Sequence, residues 1–419
     1  MVNSDFTVTD MSTLTTAGPR QDTPQPAGER RRRLASGPLA GVFGSEFAAL
    51  TSFYLLLSVT PMYAAAGAGS VGAGLVTAVL LLGTVTAELA APLLLTRFGH
   101  RTLLAAGSLL MGVPVLALLP GGPLGIIVAV SFVRGVGFGL CTVLTGALTA
   151  MLLPPERRGE GLGLFGVVAT APGIIALPAG VWLAGHSSVT VVVALTAITA
   201  LVPLATLPRL PGGGPGHRSA QAGGGRPAGL LASLRQRGQL RPFLIFAATT
   251  MPAGVIVSFL PLAAGVSGNV ATVGLLAQAL TATLSRWWAG RSGDRHGHTS
   301  LLVPALAIAS AGMITMLWLS SPAAVIIGMC LFGTGFGIAQ NATFTLMIDR
   351  MPPAGTGTAS ALWNLAYDGG YGAGPALFGL FVTHTGFPVA FALTAALMVA
   401  ALPAARREHA APVTPVAAP

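Results

Sequence analysis

Charge is what this chain has least of. Only 8% of its 419 residues are Asp, Glu, Lys or Arg, against roughly 25% in soluble domains. A water-solvated protein of this length could not cover its surface with so few, so the deficit excludes an ordinary soluble fold. Lysine is missing altogether; all 22 basic side chains are Arg. The two cysteines, Cys141 and Cys330, both lie inside apolar runs. That excludes a disulfide framework and a thiolate metal site, and leaves them as small packing residues. Nucleotide fingerprints and nucleophile motifs are also missing. "GVGFG" and "GTGFG" lack the flanking strand and the Lys of a phosphate loop and read as small-residue faces for close helix packing. His296 and His298 have no further ligand nearby, so no metal is expected. "NATF" at 341–344 matches a glycosylation acceptor but is buried in an apolar run. No cofactor and no enzymatic constellation is expected.

What is present is apolar length. Hydrophobic types make up 53% of the chain, with 56 Gly and 31 Pro, both commoner in transmembrane helices than in soluble ones. A helix needs about 20 apolar residues to cross a bilayer. Twelve such runs are legible, near 39–63, 71–95, 102–120, 123–150, 161–184, 189–207, 242–264, 270–290, 300–319, 323–348, 358–382 and 387–404. The fold class expected is all-α, with twelve transmembrane helices. Every second loop is free of Arg, whereas the alternate loops and both termini hold nearly all of them. By the positive-inside rule both termini are cytoplasmic in a multi-pass protein of the cytoplasmic membrane. The net charge of +10 is therefore read as topology. It forms no basic helix face, and no nucleic-acid partner is expected.

Residues 1–37 read as a polar, disordered cytoplasmic tail. Arg30–Arg33 before an apolar run could mimic a secretory signal, but Glu46 interrupts that run and further spans follow. Residues 38–207 then form one six-helix bundle, 208–240 a Gly/Pro-rich cytoplasmic linker, 241–405 a second six-helix bundle, and 406–419 a cytoplasmic tail. The halves repeat. "RGVGFGL" at 134–140 aligns with "FGTGFGI" at 332–338, and the same offset of 198 relates Pro154-Pro155 to Pro352-Pro353.

"GRSGDRHGHT" at 290–299 is the most polar knot in the second half, and "PLLLTRFGHR" at 92–101 holds the matching place in the first. These residues resemble the loop motif G-x-L-a-D-r-x-G-r-k of the major facilitator superfamily. Gly290, Asp294, Arg295 and Gly297 stand in register. In the first half Pro92 and Thr96 replace the usual Gly and Asp, and Arg97, Gly99 and Arg101 remain. Gly173, Pro178 and Gly180 resemble part of the family's antiporter motif, with Leu177 where its Gly-Pro pair would begin; Gly374 and Pro375 carry a similar pair later. The resemblance covers about 38–405. It implies two pseudo-symmetric bundles, a midplane site between them, a monomer, and a cytoplasmic latch built from the two loops, weaker in the first half where the acid is lost.

Charged groups inside spans face the bundle interior or a water-filled cavity, usually with a partner. Glu46 lies about 11 Å and Arg134 about 14 Å from the cytoplasmic edge at 1.5 Å per residue, so they are expected to form a coupled pair that makes and breaks as a proton moves, or else a permanent bridge. A carboxylate beside Arg stays ionised, and one that loses that partner in a dry site takes up a proton. Glu88 and Arg286, related by the 198 offset, are expected to bridge the halves or to have local partners. Asn364, Tyr367, Asp368 and Tyr371 fall at i, i+3, i+4 and i+7, one helix face. That face suits substrate contact or proton linkage, or else interhelical packing. Phe53, Tyr54, Gln340 and Asn341 are further cavity candidates. The expectation is proton-coupled export of a small organic molecule, drug-like or a secondary metabolite, with import of a sugar or small metabolite by symport or uniport as the alternative. The expected partners are the lipid bilayer, the substrate and protons.

Overall fold

The computed structural model describes residues 37–119, 122–153, 158–210, 233–234, 238–352 and 355–410, with the side chains of 158–160 and 209 excepted. The expected tails, most of the linker, and Pro154-Pro155 lie outside the described residues. Among the described residues regular structure is helical throughout. The main elements are α1 (Gly37–Leu57), α2 (Val59–Gly112), α3 (Leu124–Leu152), α4 (Arg158–His186) and α5 (Val189–Thr206). They continue with α6 (Leu240–Phe259), α7 (Gly268–His296), α8 (Leu302–Thr315), α9 (Pro322–Asp349) and α10 (Thr356–Ala410). Among the described residues eight stretches are long and apolar enough to cross a membrane. Two of these, Gly37–Leu118 with 82 residues and Thr356–Ala410 with 55, far exceed the roughly 30 Å that one crossing needs.

The long helices turn at single residues. α2 breaks at Ala68–Gly69 and at Gly99, and α10 at Gly386. All three glycines have positive φ, a conformation an L side chain resists. The sequence reading expected loops of several residues at these places. The structure instead runs helix almost directly into helix, and one left-handed glycine reverses the chain. The polar knot is corrected in the same way. Gly290–His296 is the last part of α7, not a loop, and the break falls on Gly297 alone. A helix that projects beyond hydrocarbon can stay helical with polar residues. Arg295 and His296 in its last turn complement the helix dipole, and Gly297 ends it in the left-handed position favoured for glycine. Gly99 and Gly297, 198 residues apart, share this geometry at φ 77° and 84°.

The duplication is visible in the packing. A Cβ on Gly135 of α3 would lie 1.9 Å from the Leu80 carbonyl oxygen. One on Gly333 of α9, 198 residues on, would lie 2.4 Å from that of Gln278, also 198 residues on. The same holds for Gly137 against Gly107 and Gly335 against Ala305, and for Gly139 against Thr84 and Gly337 against Ala282. Each "GxGxG" stripe thus lets two backbones touch, and both halves use it identically.

Large apolar side chains such as Leu82, Leu93, Val167, Ile198 and Leu284 are exposed, as suits a lipid-facing rim. Inside, one apolar cluster spans both halves. The halves meet where α2 packs on α10 and α6, and where α4 packs on α7. Along α2 and α10 the meeting line is close. A Cβ on Gly379 would strike the Ser70 carbonyl oxygen, one on Gly74 that of Pro375, and one on Gly372 would press on Leu81. Thr77 and Ser258 hydroxyls hydrogen-bond across the same line at 2.9 Å.

Candidate functional site

Four elements of the two bundles bring polar side chains to the centre. α10 contributes the stripe expected from its spacing. Asn364 is exposed, Tyr367 half-buried, and Asp368 and Tyr371 buried. Tyr367 and Tyr371 stack at 5.6 Å, and Tyr367 lies 5.7 Å from the ring of Trp363. Trp363 in turn stacks on Phe246 of α6 at 4.6 Å and donates to Thr343 of α9 at 3.2 Å. Phe336 adds a further ring, 6.3 Å from Tyr367. α1 contributes Tyr54, whose ring lies against Gly173 of α4, a position with room for no larger residue without displacing that ring. Phe53 stacks on Phe138 at 3.8 Å and is buried with it, so it packs the first bundle. The chain has four tyrosines, and three of them, Tyr54, Tyr367 and Tyr371, lie within electrostatic reach of one another.

Arg286 of α7 faces the same centre. It is exposed, yet its Nη1 reaches Gln340 Oε1 at 3.4 Å and it acts electrostatically on Tyr54 and Tyr367. A side chain that is wet and still surrounded by two bundles lines a water-accessible hollow. Gln340 is buried, and Asn341 is half-buried with its Oδ1 unpartnered. Its Nδ2 sits 3.5 Å from where a Cβ on Gly290 would be.

The two expected ion pairs are not formed. Glu46 is buried and accepts a hydrogen bond from Thr145 Oγ1 at 2.5 Å. Arg134 is buried and donates from Nη2 to the Ser52 carbonyl at 3.2 Å, with Nε unpartnered. Ser52 is six residues beyond Glu46, about 9 Å along α1. The depth estimate failed because α3 runs to 29 residues, longer than one membrane thickness, so counting from its first apolar residue misplaces Arg134. Glu88 likewise does not meet Arg286. Its carboxyl group instead neighbours that of Asp368, across the line where α2 and α10 meet. Sequence reasoning singled out both acids but did not pair them, because the 198 offset relates Glu88 to Arg286 and says nothing of α10.

The latch residues divide. Arg97, Asp294 and Arg295 are exposed, and among the described residues they form no ion pair. Arg101 donates from Nε to the Leu210 carbonyl at 2.9 Å and so ties α2 to the end of its own bundle. A polar tie that the sequence did not suggest lies in the second half. Glu408, 2% exposed, pairs with Arg350 and lies 3.9 Å from Arg241. Arg350 also donates to the Gly238 carbonyl at 2.7 Å. Gly180 and Gly374 are close-approach points, where a Cβ would strike the Leu55 and Met251 carbonyls respectively, and Pro178 is buried beside the first.

The helices are long and apolar enough to cross a membrane, and they bring aromatic and charged side chains together. The chain belongs to the Major Facilitator Superfamily, whose profile matches residues 42–375. Its fold is similar to a crystal structure of a point mutant of the nucleoside transporter NupG, with a TM-score of 0.70 and 12% identity over 88% of this chain and 99% of that one. It is similar to the inward-open xylose transporter XylE from E. coli, at 0.69 and 15% over 89% and 95%. A point mutant of the peptide transporter POT gives 0.70 and 15% over 89% and 95%. At such identities the likeness shows the fold alone.

Proposed function

We propose that the chain spans the membrane twelve times and exports a small aromatic organic molecule in exchange for protons. Joining α1 to the first part of α2, dividing α2 at Gly69 and Gly99 and α10 at Gly386, and joining the short 3-10 turns to their neighbours gives six crossings on each side of the linker. The arginine-bearing ends then face the cytoplasm, which leaves both termini there. The halves close on the arginine-free side, along Ser70–Gly379 and Gly74–Pro375, so the hollow opens to the cytoplasm, where an exporter loads.

The observation that carries the reading is the make-up of that hollow. One wall carries the half-buried rings of Trp363 and Tyr367, 5.7 Å apart and tilted, backed by the buried rings of Phe246 and Tyr371, which suits an aromatic guest. Its exposed fixed charge is Arg286, with Gln340 beside it. This favours neutral or anionic compounds over cations. Glu46, Glu88 and Asp368 are acids within the spans, and such groups commonly mark proton paths.

The test uses everted membrane vesicles energised to be acid inside, with a pH-sensitive dye and a panel of aromatic anions, neutral antibiotics, cationic drugs and sugars. A compound that collapses the gradient in vesicles holding the protein, and not in empty ones, is the expected result. Uptake of a sugar into whole cells, with no compound moving the gradient, would refute export.

A further inference from the structure

The line on which the bundles meet has one helical face on each side. On α10 it runs through Asp368, Gly372, Pro375 and Gly379, at i, i+4, i+7 and i+11; on α2 it runs through Ser70, Gly74, Thr77, Leu81 and Glu88. Small residues and backbone contacts occupy it from the arginine-free end inward. At its inner end the two carboxyl groups meet. Beyond them, toward Arg97, Asn364 on the same face of α10 is exposed and Pro92 on that of α2 is half-buried. The carboxyl pair therefore stands at the inner end of the line, with the exposed Asn364 on one side and packed helix on the other.

Ionised carboxylates only accept hydrogen bonds; a protonated one donates. Glu88 and Asp368 can hydrogen-bond to each other only with a proton between them. We propose that they form one proton-binding site shared by the two bundles, which clasps α2 to α10 while it holds a proton and releases them when the proton leaves. The step is a simple transfer. Water at the open side takes the proton, the acid–carboxylate pair becomes two carboxylates, and like charges in contact repel. Among the described residues no cation pairs with either acid to absorb that repulsion. The phenols of Tyr54 on α1 and of Tyr367 and Tyr371 on α10 face Asp368, Glu46 lies beyond Tyr54, and Arg286 of α7 is engaged with Gln340. α6 brings the hydroxyl of Thr250 to this part of α10.

The sign is informative. Proton loss weakens the closed arrangement of the arginine-free ends and so favours opening there. That is the order of events an exchanger needs, with the protonated form returning to load and the deprotonated form moving out with its cargo. The direction of exchange rests on the function proposed above; the clasp does not.

The experiment needs neither substrate nor transport. Spin labels are placed at Thr96→Cys on α2 and His296→Cys on α7, both exposed, in a Cys141→Ala/Cys330→Ala background. Their separation is measured in lipid nanodiscs from acid to alkaline pH. The account expects the arginine-bearing ends to draw together as pH rises, and Glu88→Gln/Asp368→Asn, which keeps a neutral hydrogen bond, to hold one distance throughout. A pH response that survives in the double variant overturns it. Infrared difference spectra of the protein without these two substitutions give a second reading. A protonated-carboxyl band must fade over the same pH range as the distance changes, and a distance change without one overturns the proposal even if the double variant fails to fold. If the clasp holds and no compound collapses a proton gradient, it is export that fails.

Discussion

The glycine stripe of α3 offers a prediction whose size can be worked from the structure. Gly135 and Gly146 lie in the same helix, eleven residues apart. A Cβ on Gly135 would fall 1.9 Å from the Leu80 carbonyl oxygen and 3.1 Å from the Thr84 nitrogen, both backbone atoms that no rotamer change can move. A Cβ on Gly146 would meet nothing within 4 Å. Replacing either by Ala gains about 1 kcal/mol of helix propensity, so that gain cancels between them. The difference isolates the steric cost of pushing α2 off α3. Overpacking costs about 1–3 kcal/mol, and a clash with backbone belongs at the top of that range. Gly135→Ala should therefore unfold more easily than Gly146→Ala by about 3 kcal/mol, over a hundredfold in the equilibrium. Thermal unfolding of the purified variants in detergent, followed by Trp fluorescence, measures it. Because the stripe is duplicated, Gly333→Ala should behave like Gly135→Ala. Equal melting of Gly135→Ala and Gly146→Ala would refute the close-packing account of both halves.

Three other outcomes are expected. Glu46→Gln keeps an acceptor for Thr145, so its stability should stay within about 1 kcal/mol of the parent, while proton-driven transport is lost; retained proton-driven turnover would remove Glu46 from the proton path. Arg350→Ala strands Glu408, which is 2% exposed, and should destabilise by about 3 kcal/mol, the lower end for a broken buried pair, because Arg241 remains 3.9 Å away; an unchanged melting temperature would contradict that. Tyr367→Ala removes a ring that contacts Trp363 and Tyr371 and should weaken binding of aromatic substrates about tenfold, roughly 1.4 kcal/mol, read as the concentration for half-maximal transport.

Much of the architecture was legible because its physical causes are local. Apolar length marks the helices fit to cross a membrane, and the 198-residue offset predicts the backbone contacts that the structure repeats at Gly135 and Gly333. Helix ends were less legible. The knot at 290–296 is polar, so it read as loop, yet hydrogen-bonded helix continues until Gly297 makes a left-handed turn available. The side-chain pairings were least legible. Glu46, Arg134, Glu88 and Asp368 were each conspicuous as charges in apolar runs, but what each meets depends on helix tilt and on which faces of different helices come together. Along α10 the i, i+3, i+4, i+7 pattern showed which residues share a face. It could not show that Tyr367 turns to the ring of Trp363 while Asp368 meets Glu88. The tie of Glu408 to Arg350 joins residues 58 apart near the end of the second bundle and left no periodic signal.

The central claim is that inward proton flow drives outward movement of an aromatic compound. It is tested most directly with the purified protein in liposomes, using a compound that collapses the gradient in vesicles. With protein of both orientations present, an imposed gradient that is acid inside should load the compound into the liposomes, and dissipating the gradient should release it. Glu88→Gln/Asp368→Asn should load at most a tenth as much. Loading when the gradient is reversed, acid outside, would mean that proton and compound travel together, and would contradict the account.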